Sequence, residues 1–212
     1  MSVVICHCRS YRRIAPEKIE AVRSACAKAA IPVVDVPDLC YLAAKDRESL
    51  RRLAGAEAVL ACQPRAVRVL FPSAARYLDL RRESVDAALS AVRAVPVAPN
   101  DCTPAAPSSW VPWFPAIDPD RCVQCGKCVD FCLFGVFAVE GSSVRVVNPD
   151  HCKTDCPACA RICPRNAIIF PKSDEPRLNG SLDEPVAPTP MDRAAFRERL
   201  KHRKLRLFRE DG

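Results

Sequence analysis

The chain has 212 residues, a formal charge of +7 from 32 Lys and Arg against 25 Asp and Glu, and 14 cysteines against only six glycines. The glycines, at 55, 126, 135, 141, 180 and 212, form neither a GxGxxG turn nor a GxxxxGK loop, which excludes nucleotide or flavin chemistry on those loops. The Met1-Ser2-Val3-Val4 start lacks a signal-peptide pattern and no run approaches the ~18 apolar residues of a membrane helix, so a cytoplasmic, non-inserted protein is expected. In that compartment dense cysteines serve metal ligation or redox work rather than disulfides.

Apolar runs at 3–6, 32–36, 58–62 and 77–80 have the length of strands. The stretch 16–30 opens on Pro16 and carries Ile19, Val22 and Cys26 at helical spacing, and 84–95 repeats Val85, Leu89 and Val92. Strands alternating with helices predict a small parallel α/β domain over residues 1–95. Six prolines between 96 and 115 then forbid helix and mark a linker, whose end carries Trp110, Trp113 and Phe114, rings placed either to dock it on the next domain or to bind a partner.

Residues 116–171 contain two cysteine-rich segments with an apolar hairpin between them, strands at 136–139 and 144–147 around Gly141. Each segment is followed by a strand-like tail, at 134–139 and 167–170, so the region reads as an internal duplication. Residues 172–212 read as an irregular, proline-bearing stretch and a basic tail. From 191 to 212 the tail has eight Lys and Arg against four Asp and Glu, a terminal helix or conditionally ordered segment. The fold class expected is therefore α/β plus α+β.

The first segment places Cys122, Cys125, Cys128 and Cys132 at two, two and three intervening residues. The second places Cys152, Cys156, Cys159 and Cys163, followed by Pro164, at three, two and three. Three close thiolates can wrap one face of a cubane cluster while the fourth, one helical turn on, points away to another. The expected ligand sets are thus crossed. Cys122, Cys125, Cys128 and Cys163 hold cluster one, and Cys152, Cys156, Cys159 and Cys132 hold cluster two. On these residues the region resembles the bacterial two-cluster 4Fe-4S ferredoxins, departing from their pattern at Leu133, where proline is usual, and in the longer gap between Cys152 and Cys156. Zinc is disfavoured because its structural sites are closed four-ligand sets built from pairs. With few large apolar residues here, the clusters are expected to supply much of the folding energy of this half.

Cys6 and Cys8 close the first expected strand, Cys40 follows the second and Cys62 ends the third, so the carboxyl ends of a parallel sheet bring the four toward one edge. Cys26 lies on an apolar helix face and reads as a core thiol, while Cys102 in the linker has no assigned role. Ile5-Cys6-His7-Cys8, Asp38-Leu39-Cys40 and Leu60-Ala61-Cys62-Gln63-Pro64-Arg65 resemble the N-terminal domain of the flavin-carrying subunit of heterodisulfide reductases and its bacterial relatives, over roughly residues 3 to 71. The flavin domain of that family is missing from this chain. The resemblance implies a place in a multi-subunit redox system. Three readings of Cys6, Cys8, Cys40 and Cys62 stand side by side: a third iron-sulfur cluster, a reversible dithiol or zinc site, and unrelated buried thiols. Arg9, Arg12, Arg13, Arg65 and Arg68 nearby are candidates to offset a cluster's negative charge, and His7 is either a ligand or a hydrogen-bonded surface group.

No nucleophile and base pair or paired carboxylates stand at a recognisable spacing, so no catalytic residues are assigned and electron transfer is the expected function. The partners would be a redox protein donor and acceptor, steered by Lys127, Lys153, Arg161 and Arg165. The alternative is a redox-responsive adaptor that binds a partner or nucleic acid through the tail 193–209.

Overall fold

Val3-Val4-Ile5-Cys6 is buried at every position, which requires a strand covered on both faces. In the computed structural model, which describes residues 3–92 and 110–181, it is β1 (Val3–Cys6), interior to a four-stranded sheet of order β2-β1-β3-β4. β2 (Val33–Val36), β3 (Ala58–Ala61) and β4 (Arg76–Asp79) all run parallel to their neighbours. The end of the helix expected at 84–95, most of the linker with Cys102, and the basic tail lie outside the described residues.

Local signals set the helices around this sheet. α1 (Pro16–Lys28) begins on proline, whose missing N–H is no loss there, and buries Ile19, Val22 and Cys26 on one face. α5 (Val85–Val92) packs beside it, burying Ala88, Leu89 and Val92. Between β2 and β3 lie α2 (Leu39–Lys45) and α3 (Arg47–Arg52), short elements that hydrophobic periodicity did not mark. Each starts on an aspartate, Asp38 accepting from the Cys40 and Tyr41 N–H groups and Asp46 from that of Ser49. α4 (Pro64–Leu70), also opened by proline, connects β3 to β4.

The second half is assembled from small pieces. β5 (Ala116–Ile117) pairs antiparallel with β8 (Ile168–Ile169), and β6 (Phe137–Glu140) forms a hairpin with β7 (Ser143–Val146) through Gly141 and Ser142. Gly141 has φ +61°, the conformation a two-residue hairpin turn demands of its first residue. α6 (Lys127–Phe131) and α7 (Ala158–Ile162) each end one residue before a cysteine, Cys132 and Cys163, in extended conformation. The duplication extends to the backbone. Gln124 and Asp155, each immediately before the second cysteine of its segment, both have positive φ, as do Gly135 and Asn166, each three residues after the fourth.

The halves pack directly on one another. Trp113 stacks on Phe170 with ring centroids 5.3 Å apart and lies 6.4 Å from Tyr11, so the expected docking rings engage both halves. Arg65 Nε donates to Asp118 Oδ2 at 2.7 Å and its NH2 to the Asn166 carbonyl at 2.9 Å, with both charged side chains buried. Residues 172–181, grouped by sequence with the irregular stretch, include α8 (Pro176–Asn179) and the buried side chains of Lys172, Ser173 and Asn179.

Candidate metal centre

Cys122, Cys125, Cys128 and Cys163 line one cavity together with Ile117, Val123, Val144 and Ile168. Cys132, Cys152, Cys156 and Cys159 line a second, of about 430 Å³, together with Val136, Phe137, Leu133 and Phe134. The distribution follows the repeat. The loop and first turn of each segment give three cysteines to one cavity, and the cysteine just after its short helix lines the other. The extra residue between Cys152 and Cys156 is taken up in the loop that places Asp155 at φ +58°, and Cys156 stays at the second cavity.

The donor set is chemically narrow. Each cavity offers four thiols and apolar walls, an environment suited to soft, thiolate-ligated iron-sulfur chemistry. Among the described residues no three His, Cys, Asp or Glu side chains converge as they would on a single ion. Burial, with Cys163 and Cys122 nearby, pushes the Cys128 thiol up to about 11. Burial and the neighbouring Cys156 and Cys132 push Cys152 up to about 12, and Cys159 is raised mainly by burial. Without metal these groups stay protonated at neutral pH, and ligation must displace their protons. The Ala167 N–H donates to Cys163 Sγ at 3.3 Å, a contact of the kind that tunes a ligated cluster.

The first half has its own thiol set. Cys6 ends β1, Cys8 follows it at φ +48°, Cys40 sits in the first turn of α2 and Cys62 directly follows β3, all buried at the carboxyl edge of the sheet. Hydrogen bonding with the Cys62 thiol and, against the opposing effect of burial, the Lys172 ammonium bring Cys8 down to about 6. Cys6 is pushed up to about 12 by burial, Asp38 and Cys8. Cys40 and Cys62 are raised well above the ordinary thiol value, Cys40 chiefly by burial and Cys62 first by its hydrogen bond with Cys8. Cys26 lies in the core beneath α1.

The cation at this set is not among those the sequence suggested. Arg9, Arg12 and Arg68 are exposed, Arg13 bonds Asp174 and the Lys172 carbonyl, and Arg65 is committed to Asp118. The cation on the set is Lys172 from the second half, its Nζ 3.3 Å from Cys8 Sγ. Arg81, held by Asp79 and Gln63, adds a second positive charge within electrostatic reach of Cys62 and Cys8. His7 Nε2 lies 2.7 Å from Asp35 Oδ1, the hydrogen-bonded alternative. Arg161 pairs with Glu175 at 2.7 Å, whereas Lys127 and Arg165 rim the first cavity and Lys153 the second.

The cavities and their cysteines define the second half as an iron-sulfur domain, and residues 114–137 match the family model of a 4Fe-4S binding domain. The chain belongs to the ferredoxin family: it is 41% identical over 54 residues to a ferredoxin of Methanothermococcus thermolithotrophicus, covering 88% of that protein and 24% of this chain. It is also 44% identical over 70 residues to an uncharacterised ferredoxin of Methanocaldococcus jannaschii, spanning about half of that relative (48%) and 32% of this chain. The pyruvate synthase subunit PorD of Methanothermobacter marburgensis is 37% identical over 60 residues, 68% of its length and 28% of this chain. No solved structure matches the chain. Among the described residues no helix is long and apolar enough to cross a membrane.

Proposed function

We propose that the chain is an electron-transfer protein with two 4Fe-4S clusters, bound by Cys122, Cys125, Cys128 and Cys163 and by Cys152, Cys156, Cys159 and Cys132. The observation that carries this reading is the sorting of eight cysteines into two cavities with one ligand exchanged between the repeats. Bound there, such a cluster supplies reversible one-electron chemistry. The protein's part is to hold each set of thiolates, wall it with apolar side chains and present it to a partner. Cys125 and Val123 are exposed beside the first cavity, and Leu133 and Phe134 beside the second, so each centre is approachable from outside. Lys127, Arg165 and Lys153 around those openings favour an acidic redox partner.

The assignment extends to a component of a multi-subunit redox system in a reducing, cytoplasmic compartment. The similarity to PorD, named as a subunit of pyruvate synthase, supports it. So does the resemblance of the first half to the N-terminal domain of the heterodisulfide reductase flavin subunit. On this reading Cys6, Cys8, Cys40 and Cys62 form a third iron-sulfur site, supported by their collection at one sheet edge. The first half is then one domain, joined by the linker to the cluster-bearing domain and the basic tail.

Single substitutions test the exchange of ligands. Cys163→Ser should disturb the cluster held by Cys122, Cys125 and Cys128, and Cys132→Ser the one held by Cys152, Cys156 and Cys159, each seen as loss or alteration of one paramagnetic signal after dithionite reduction. Each substitution disturbing the cluster of its own segment instead would refute the crossed assignment.

A further inference from the structure

Lysine is rarely buried unless paired, and Lys172 is only 2% exposed. Its backbone belongs to the second half, just beyond β8, but its ammonium ends inside the first. It donates to both oxygens of Asp38, at 2.8 and 3.0 Å, and to Cys8 Sγ at 3.3 Å. Asp38 is in turn a hub. Its carboxylate accepts from the backbone N–H groups of Ser10 at 3.3 Å, Cys40 at 3.0 Å and Tyr41 at 3.4 Å. One carboxylate thus ties the loop after Cys8, the turn that carries Cys40, and the lysine from the other half. The Tyr11 ring lies 5.6 Å from the same ammonium.

A buried ion pair of this kind is weak evidence for stability, because apolar side chains of similar volume do as well or better. Its geometry is informative for another reason: the cation is aimed at a sulfur. A thiolate-ligated cluster carries net negative charge, and a charged N–H donor on one ligand sulfur offsets that charge and favours the reduced state.

We infer that Lys172 is the positioning residue of the first half's thiol site, a sulfur-directed donor inserted by the second half and aimed by Asp38. The inference rests on the reading of Cys6, Cys8, Cys40 and Cys62 as a third iron-sulfur site. It makes the two halves one redox unit, since the site in the first half is complete only when the second is docked on it.

The test uses the full chain, purified without oxygen, with iron and acid-labile sulfide assayed and each centre titrated by electron paramagnetic resonance. Wild type should carry about twelve irons. Lys172→Gln, which keeps an N–H donor but removes the charge, should keep the third centre and move its midpoint potential lower. The double variant K172M/D38N removes the donor without stranding a buried carboxylate, and should fall to about eight irons with the signals of the other two clusters unchanged. An unchanged third-centre potential in Lys172→Gln, or about twelve irons in the double variant, overturns the role of Lys172 while leaving the third site in place. About eight irons in wild type overturns the third site, and this inference with it.

Discussion

Replacing Asp118 by asparagine preserves the shape of the side chain and removes one charge from the junction of the halves. Arg65 and Asp118 are 5% and 6% exposed, bonded at 2.7 Å, and the second guanidinium contact goes to a carbonyl, which offers no charge in exchange. Stranding a buried partner in this way costs about 3–5 kcal/mol. For a chain of this size each kcal/mol corresponds to about 2–4 °C, so Asp118→Asn should lower Tm by about 6–20 °C. Arg65→Met should cost less, because Asp118 keeps Arg121, whose Nε lies 3.7 Å away. The double variant should cost less than the sum of the two, with a coupling of about 2 kcal/mol or more. Anaerobic thermal melts of the cluster-loaded chain, followed by circular dichroism, give all three values. An Asp118→Asn melt within about 2 °C of wild type, equivalent to about 1 kcal/mol or less, would refute a desolvated ion pair between docked halves.

Three other outcomes follow from the geometry. Gly180 has φ +82°, and a Cβ there would sit 3.1 Å from Ile169 Cγ2 and 3.3 Å from the Ala66 nitrogen, so Gly180→Ala should destabilise by about 1–3 kcal/mol, read from the same melts. Because Cys128 and Cys152 are held protonated by burial up to about 11 and 12, loading iron onto metal-free protein releases protons, and apparent affinity should rise at least about tenfold per pH unit between roughly pH 6 and 8. Affinity independent of pH in a competition titration would contradict those shifts. Anaerobic removal of iron should abolish the far-ultraviolet signal of the second half while the parallel sheet of the first persists. An unchanged spectrum would show that the second half folds without its clusters.

The legible parts of this molecule were those encoded locally. Cysteine spacing marked which cysteines share each cavity, because a loop and one helical turn bring three of them together, and apolar runs marked the parallel sheet most clearly at β1 and β3, the interior strands buried at every position. α2 and α3 escaped because they are only seven and six residues long and start on Asp38 and Asp46 rather than on an apolar stripe. The thiol edge of the first half was foreseeable from strand ends, but its cation was not. Lys172 lies 164 residues from Cys8 and 134 from Asp38, and it looked like any lysine in a polar, proline-bearing stretch. Arg65, close in sequence to Cys62, drew attention that belonged to a partner 53 residues away, Asp118. Long-range pairing of charges leaves no periodic trace for a sequence to display.

Iron and acid-labile sulfide per chain, measured on protein kept free of oxygen, test the account most directly. Two clusters on the ferredoxin cysteines and a third on the first half predict about twelve of each, falling to about eight when Cys40 and Cys62 are both replaced by serine. A colourless chain, or one whose eight ferredoxin cysteines hold single metal ions without sulfide, would contradict it.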